Sequence, residues 1–238
     1  MQAQGLAVYG LTRRYGKLTA VDDLSFNVAR SETLGLLGPN GSGKTTTLLC
    51  LAGLLRPDAG TISYDGAVLG ADRAGTVALI PETPEVYPML TAWEHLIFVA
   101  KSCRLDQGWS ARAKELMERF DLGDHADTLG AAMSKGMRQK TLIAATVLAG
   151  SPVLLLDEPL IGLDPKGQRE LRNILAEQRH DGRAIIVSTH LLESAEVMCD
   201  SVLIIKDGHA LARGPVAQLR DCAQTGRSLE DVFLEVTG

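Results

Sequence analysis

From Leu6 to Val28 apolar and polar residues alternate around a turn at Tyr15-Gly16-Lys17. A period of two puts every second side chain on one face and predicts antiparallel strands at a sheet edge. The pattern then changes. Leu34-Gly35-Leu36-Leu37 is a short apolar run leading into a glycine-rich loop, and Thr45 to Leu55 has helical character until Arg56-Pro57-Asp58-Ala59-Gly60 breaks it. Thr61 to Val68 predicts a hairpin around Asp65-Gly66, and Thr76 to Ile80 a further short strand ahead of Pro81 and Pro84.

Between Thr91 and Gly150 the period is helical, with Trp93, Leu96, Ile97 and Ala100 on one face and Leu116, Met117 and Phe120 on another. This block predicts a helical insert. Val153 to Leu156 and Ala184 to Val187 are unbroken apolar runs separated by a helix-like segment, Gln168 to Arg179, the pattern of buried parallel strands joined by helices. Val202 to Ile205, turning at Asp207-Gly208, predicts another hairpin, and a short helix starts at Leu229. With no repeat, low-complexity tract or linker, the expectation is one α/β domain over 1–238, its helical subdomain inserted at roughly 83–150.

Composition narrows the partners. The 238 residues carry 24 Lys+Arg against 29 Asp+Glu, a net charge of −5, which argues against a phosphate-backbone partner. At 45% hydrophobic and 22% charged the chain is neither disordered, collagen-like nor a coiled coil. Cys50, Cys103, Cys199 and Cys222 form no C-x-x-C pair, so no zinc knuckle or disulfide framework is expected, and the reading is a reducing, intracellular compartment. Met1-Gln2-Ala3-Gln4-Gly5 has no secretory pattern, so the mature chain is expected to start there. The longest apolar stretch, Leu142 to Leu156, is interrupted by Gly150-Ser151-Pro152 and falls short of the roughly 18 residues needed to span a bilayer.

The chemistry lies at three strand ends. Gly38-Pro39-Asn40-Gly41-Ser42-Gly43-Lys44-Thr45 fits G-x-x-x-x-G-K-[ST] between a buried strand and a helix. Glycines let successive N–H groups converge, the helix N-terminus adds partial positive charge, Lys44 reaches β/γ-phosphates, and Thr45 offers a hydroxyl to Mg²⁺, with Thr46 beside it. Val153-Leu154-Leu155-Leu156-Asp157-Glu158-Pro159 ends a buried strand in two carboxylates. Asp157 is expected to hold Mg²⁺, directly or through water, and Glu158 to polarise the water that attacks the γ-phosphate. His190, after Ile185-Ile186-Val187-Ser188-Thr189, is expected to sense that phosphate and orient Glu158.

The segment Met133-Ser134-Lys135-Gly136-Met137-Arg138-Gln139-Lys140 offers a serine hydroxyl and free N–H groups at a helix start, an anion site. It resembles the signature Leu-Ser-Gly-Gly-Gln of ATP-binding cassette (ABC) ATPases: Ser134 and Gly136 match, while Met133, Lys135 and Met137 depart. The resemblance runs from Leu6 to Phe233, with the motifs in the family's order, and the S-K-G-M-R-Q variant is similar to the drug and polysaccharide exporter branch. The tail Ser228-Leu229-Glu230-Asp231-Val232-Phe233-Leu234 resembles that branch's closing helix.

The resemblance implies a P-loop NTPase core with a mostly parallel sheet, an N-terminal antiparallel β-subdomain and a helical subdomain bearing the signature. It also implies ATP hydrolysis with Mg²⁺, and a second cassette, a homodimer, whose Ser134, Lys135 and Gly136 contact the ATP held by the first. Lys135 either adds charge there or stays solvated. Tyr15 matches the adenine-stacking aromatic with Val21 beside it, and Gly162 and Asp164 match a dimer-contacting turn. The family has a glutamine that contacts Mg²⁺ where this chain has Glu82, which either ligates the metal or remains solvated. An integral membrane transporter subunit is expected to dock near Glu82–Thr91. That makes the chain a cytoplasmic protein, peripheral on the inner face of the membrane, that powers export. The competing expectation, a soluble ABC ATPase acting on ribosomes or DNA, usually comes with fused cassettes or long coiled-coil insertions, and neither is found. A small-molecule kinase would leave the signature idle.

Overall fold

A computed structural model describes residues 4–217. Cys222, the segment from Leu229 and the exporter-like tail lie outside the described residues. The early alternation becomes β1 (Gly5–Tyr15) and β2 (Leu18–Ala29), which pair antiparallel; β4 (Ala59–Tyr64) and β5 (Ala67–Val68) extend that sheet in the order β2-β1-β4-β5. The second sheet has six strands: β3 (Thr33–Leu37), β6 (Val77–Ile80), β7 (Val153–Asp157), β8 (Ala184–Thr189), β9 (Ser201–Lys206) and β10 (His209–Pro215), in the order β10-β9-β3-β8-β7-β6. All its pairings are parallel except the β9-β10 hairpin.

The helices follow the expected periods with shifted ends. α1 (Lys44–Leu51) stops four residues before the expected Leu55, and Gly53 at φ 78° turns the chain out of the helix. α2 (Ala92–Ser102) starts at a reciprocal capping box between Thr91 and Glu94, followed by α3 (Trp109–Arg119) and α4 (Lys135–Ala149), which Ser134 caps and Gly150 ends at φ 78°. α5 (Pro165–His180) carries proline in its first turn, and α6 (Leu192–Met198) follows β8.

Two apolar clusters sandwich the six-stranded sheet. Leu34, Leu36, Leu155 and Ile186 pack with Leu6, Val8, Leu24 and Phe26 of the antiparallel sheet and with Leu48 and Leu51 of α1. Leu37, Leu156, Ile185 and Val187 join Leu96, Ile143, Leu171 and Ile174 from the helices and Phe120 at the end of α3. Every residue of β3, β7 and β8 is buried, as expected for parallel strands covered on both faces. Each buried aliphatic side chain contributes ~1.5–3 kcal/mol relative to exposure, so the strands form a fixed floor and the loops at their ends carry the adaptable chemistry.

Because β8 lies between β3 and β7, with Leu37 beside Thr189 and Asp157 beside Ser188, the loop after β3, the acids ending β7 and His190 after β8 emerge at one carboxyl edge. That edge is where open α/β sheets bind ligands.

Candidate nucleotide site

The phosphate loop is shaped by backbone that tolerates no side chains at two points. A Cβ on Gly38 would lie 2.2 Å from the Ile205 carbonyl oxygen, and one on Gly43 2.3 Å from that of Ala20, with Gly43 already at φ 104°. α1 begins at Lys44, so its unpaired N–H groups face the loop. Lys44 Nζ donates to the carbonyls of Gly38 at 2.8 Å and Pro39 at 3.1 Å, folding the cation over the cradle. Burial pushes the Lys44 ammonium below the ordinary lysine range, and the nearby Glu158, Asp157 and Glu82 pull it back only in part.

Both acids of the Asp-Glu pair are buried and held by hydroxyls. Thr45 donates to Asp157 Oδ2 at 2.7 Å, and the Ser188 hydroxyl to Asp157 Oδ1. Glu158 sits at φ 45°, an uncommon conformation for a branched-free but bulky residue, fixed by its own N–H donating to the Ser188 carbonyl at 3.0 Å. Its Oε2 accepts from the Thr189 hydroxyl at 3.1 Å; its Oε1 accepts from the His190 backbone N–H at 3.0 Å and lies 2.7 Å from Nδ1 of that ring. A neutral His190 therefore spends its ring proton on Glu158, and donating to a phosphate through Nε2 as well takes both ring protons.

These groups line one cavity of ≈ 470 Å³. Its lining comprises Tyr15, Leu18 and Ala20 from β1 and β2; Asn40, Gly41, Gly43, Lys44, Thr45 and Thr46 from the phosphate loop and α1; and Glu82, Asp157, Glu158, Ile161 and His190. Tyr15 is 43% exposed, with the Arg13 guanidinium 5.0 Å from its ring centroid. Val21, expected beside Tyr15, is 1% exposed and packed in the core, adjoining Gly43 of the loop without lining the cavity. Asp23 at φ 49° breaks the alternation of β2, turning Val21 inward and bringing Leu18 and Ala20 to the cavity. Gly38, Pro39 and Ser42 shape the loop from behind rather than line the cavity. Ser188, Thr189, Leu18, Ala20 and Ile161 were not singled out from sequence; the buried Ser188-Thr189 pair ending an apolar run is the signal that marks two of them.

The Thr45 hydroxyl and Asp157 carboxylate stand side by side as hard oxygen donors, the ligand type that suits Mg²⁺. Glu82 faces the same cavity, is exposed, and takes part in no hydrogen bond or ion pair among the described residues. Among the described residues no three His, Cys, Asp or Glu side chains cluster tightly enough to hold a metal by themselves, so the fit is to a Mg²⁺ that keeps phosphate and water ligands.

The signature residues stand apart. Ser134 Oγ accepts from Met137 N at 3.2 Å, and none of Ser134, Lys135 and Gly136 lines the cavity. Lys135 and Gly136 pack instead on the loop before α5: a Cβ on Gly136 would lie 3.0 Å from the Gly162 carbonyl oxygen, and the Lys135 stem runs beside Gly162. Asp164 pairs with Lys140 of α4 at 2.8 Å, and that hydrogen bond holds its carboxyl below the usual range. At the far end of the Glu82 segment, Tyr87 is 57% and Met89 79% exposed. The Tyr87 N–H donates to His95 Nε2 at 2.9 Å while His95 Nδ1 lies 2.7 Å from the Thr91 carbonyl, which assigns its proton to Nδ1. Among the described residues no helix is long and apolar enough to cross a membrane.

The chain is similar to known proteins in sequence and in fold. Residues 21–161 match the family described as ABC transporter. The ABC-type transporter ATP-binding protein EcsA of Bacillus subtilis (strain 168) is 34% identical over 237 residues, covering 98% of this chain and 96% of that protein. The SkfA peptide export ATP-binding protein SkfE of the same organism is 36% identical over 229 residues, covering 93% of each. A solved ATP-binding subunit of an ABC transporter superposes with a TM-score of 0.92 at 35% identity, covering 99% of this chain and 100% of that one. With the phosphate loop, the acidic strand and the histidine converging on one cavity, the chain belongs to the ABC transporter family as an ATP-binding, ATP-hydrolysing cassette.

Proposed function

We propose that this cassette is the ATPase subunit of an exporter, acting as a homodimer on a separate membrane subunit. The observation that carries the catalytic part is the clamp on Glu158: three donors from Thr189 and His190 hold a buried carboxylate in the cavity that also contains Lys44 and Thr45. A carboxylate fixed this way accepts a proton from water as it attacks the γ-phosphate, and its orientation is set before substrate arrives. Asn40, Gly41, Gly43, Lys44, Thr45 and Thr46 bind the phosphates through backbone N–H groups, side-chain hydroxyls and the lysine cation, while Gly38, Pro39 and Ser42 keep the loop in shape. Tyr15 stacks on the adenine, with Leu18 and Ala20 in the place expected of Val21. Thr45, Asp157 and Glu82 are the residues that would hold Mg²⁺, which would supply neutralisation of charge on the phosphates.

The dimer follows from an incompleteness. Ser134, Lys135 and Gly136 make a helix-start anion site that does not reach the cavity of its own chain, so a second copy supplies it across the nucleotide, with Gly162 and Asp164 at the seam. Tyr87 and Met89 expose apolar area where the membrane subunit docks, between Glu82 and Thr91, so that movement of the helical subdomain, about 83–150, passes to the transporter from the cytoplasmic face. SkfE's name speaks of peptide export, and similarity to it supports export as the direction.

The test is Glu158→Gln. The variant keeps its affinity for ATP, loses turnover by roughly 10²–10⁴-fold, and accumulates an ATP-bound dimer in gel filtration. Turnover at the wild-type rate would remove Glu158 from the role of base.

A further inference from the structure

Three carboxylates line the nucleotide cavity, and they differ in one respect. All four oxygens of Asp157 and Glu158 accept hydrogen bonds, from Thr45, Ser188, Thr189 and His190. Glu82 accepts none among the described residues, and its interaction with the site is the Coulombic one that favours the charged form of Lys44. Its charge is therefore the one that no donor compensates at close range, and it is exposed where Asp157 and Glu158 are buried. Lys44 donates to two loop carbonyls and faces three acids, so its single positive charge is outnumbered in the cavity before a polyphosphate enters.

Building on the reading of this cavity as the nucleotide site, we propose that Glu82 is a specificity residue that makes nucleotide admission depend on a divalent cation. A metal-free triphosphate brings its full negative charge against an uncompensated carboxylate and is repelled. The cation complex lowers that charge and presents to Glu82 a positive centre, so the same side chain attracts it. A neutral amide at this position has no charge with which to distinguish the two. Glu82 is exposed and tied to no other group, so replacing it leaves the fold intact.

The experiment is equilibrium binding of ATP to the full chain, in Mg²⁺ and in EDTA, for wild type, Glu82→Gln, Glu82→Asp and Lys44→Ala. Expected for Glu82→Gln is a Kd ratio, EDTA over Mg²⁺, about tenfold smaller than wild type, equivalent to ~1.4 kcal/mol, arising mainly from tighter binding of the metal-free nucleotide. Glu82→Asp keeps most of the discrimination, and raising ionic strength erodes it in wild type but not in Glu82→Gln. An unchanged ratio in Glu82→Gln overturns the proposal. Lys44→Ala separates this from failure of the site itself: if it binds ATP like wild type under both conditions, the nucleotide is held elsewhere.

Discussion

Gly130 determines where the Glu82–Thr91 segment sits, and Gly130→Ala should displace it. Its φ is not positive, so the substitution brings no backbone strain of its own; the cost is steric. The new Cβ would lie 2.4 Å from the Tyr87 carbonyl oxygen and 3.0 Å from Val86 Cγ2. Reaching ordinary contact at 3.4 Å means moving that carbonyl by about 1 Å. Four hydrogen bonds converge there: Leu90 N to Tyr87 O at 3.1 Å, Gly130 N to Leu90 O at 2.8 Å, Ala131 N to Pro88 O at 3.0 Å, and Tyr87 N to His95 Nε2 at 2.9 Å. Losing two or three of them, at about 1 kcal/mol each, gives a destabilisation of about 2–3 kcal/mol. Urea unfolding measures this as a lower midpoint at constant slope. Gly123→Ala is the matched control, because its Cβ would meet nothing within 4 Å and it should cost almost nothing. ATP affinity of the isolated cassette should change less than threefold, since Lys44, Thr45 and Asp157 are untouched. A cost under about 0.5 kcal/mol for Gly130→Ala would refute the idea that this contact fixes the Glu82–Thr91 segment.

Ser188→Ala should destabilise the chain by about 1.5–3 kcal/mol in the same urea assay, because it removes a donor from a buried carboxylate, and a cost below about 0.5 kcal/mol would mean that Asp157 does not depend on that hydroxyl. The Lys140–Asp164 pair joins the signature helix to the loop before α5, with Asp164 half exposed, so a double-mutant cycle with Lys140→Met and Asp164→Asn should yield a coupling of only ~0.2–1 kcal/mol. Because Asp164's carboxyl is held below its ordinary value, that coupling is present at neutral pH and fades as pH falls through the lowered value; a coupling that grows on acidification would contradict the pairing.

What was legible in the sequence is what lies in contiguous runs or regular periods. The phosphate loop, the Asp157-Glu158 strand end and the strands beneath them combine burial and motif in a few residues. The burial of Val21 is not legible, because period-two alternation from Leu24, Phe26 and Val28 puts it on the outer face and the break at Asp23 inverts that phase. Ser188 and Thr189 looked like the polar end of a strand; that they hold the acids depends on β8 lying beside β7, a pairing across some thirty residues that no local pattern states. The early end of α1 follows from one glycine conformation, and the Lys140–Asp164 pair from packing between two helices.

The strand order has a consequence for how the protein comes into being. β3 carries the phosphate loop and β7 the acids, yet they are not neighbours: β8, the last of the three to be synthesised, inserts between them. A growing chain that ends before Ala184 therefore has both motifs and no spacer to hold them in register, and the Thr45–Asp157 bond, which spans 112 positions of sequence, has nothing to set its length. Competence to bind ATP should then switch on late in translation, when β8 leaves the ribosome, and a nucleotide that stabilises the finished fold would reward only chains that have closed this central seam.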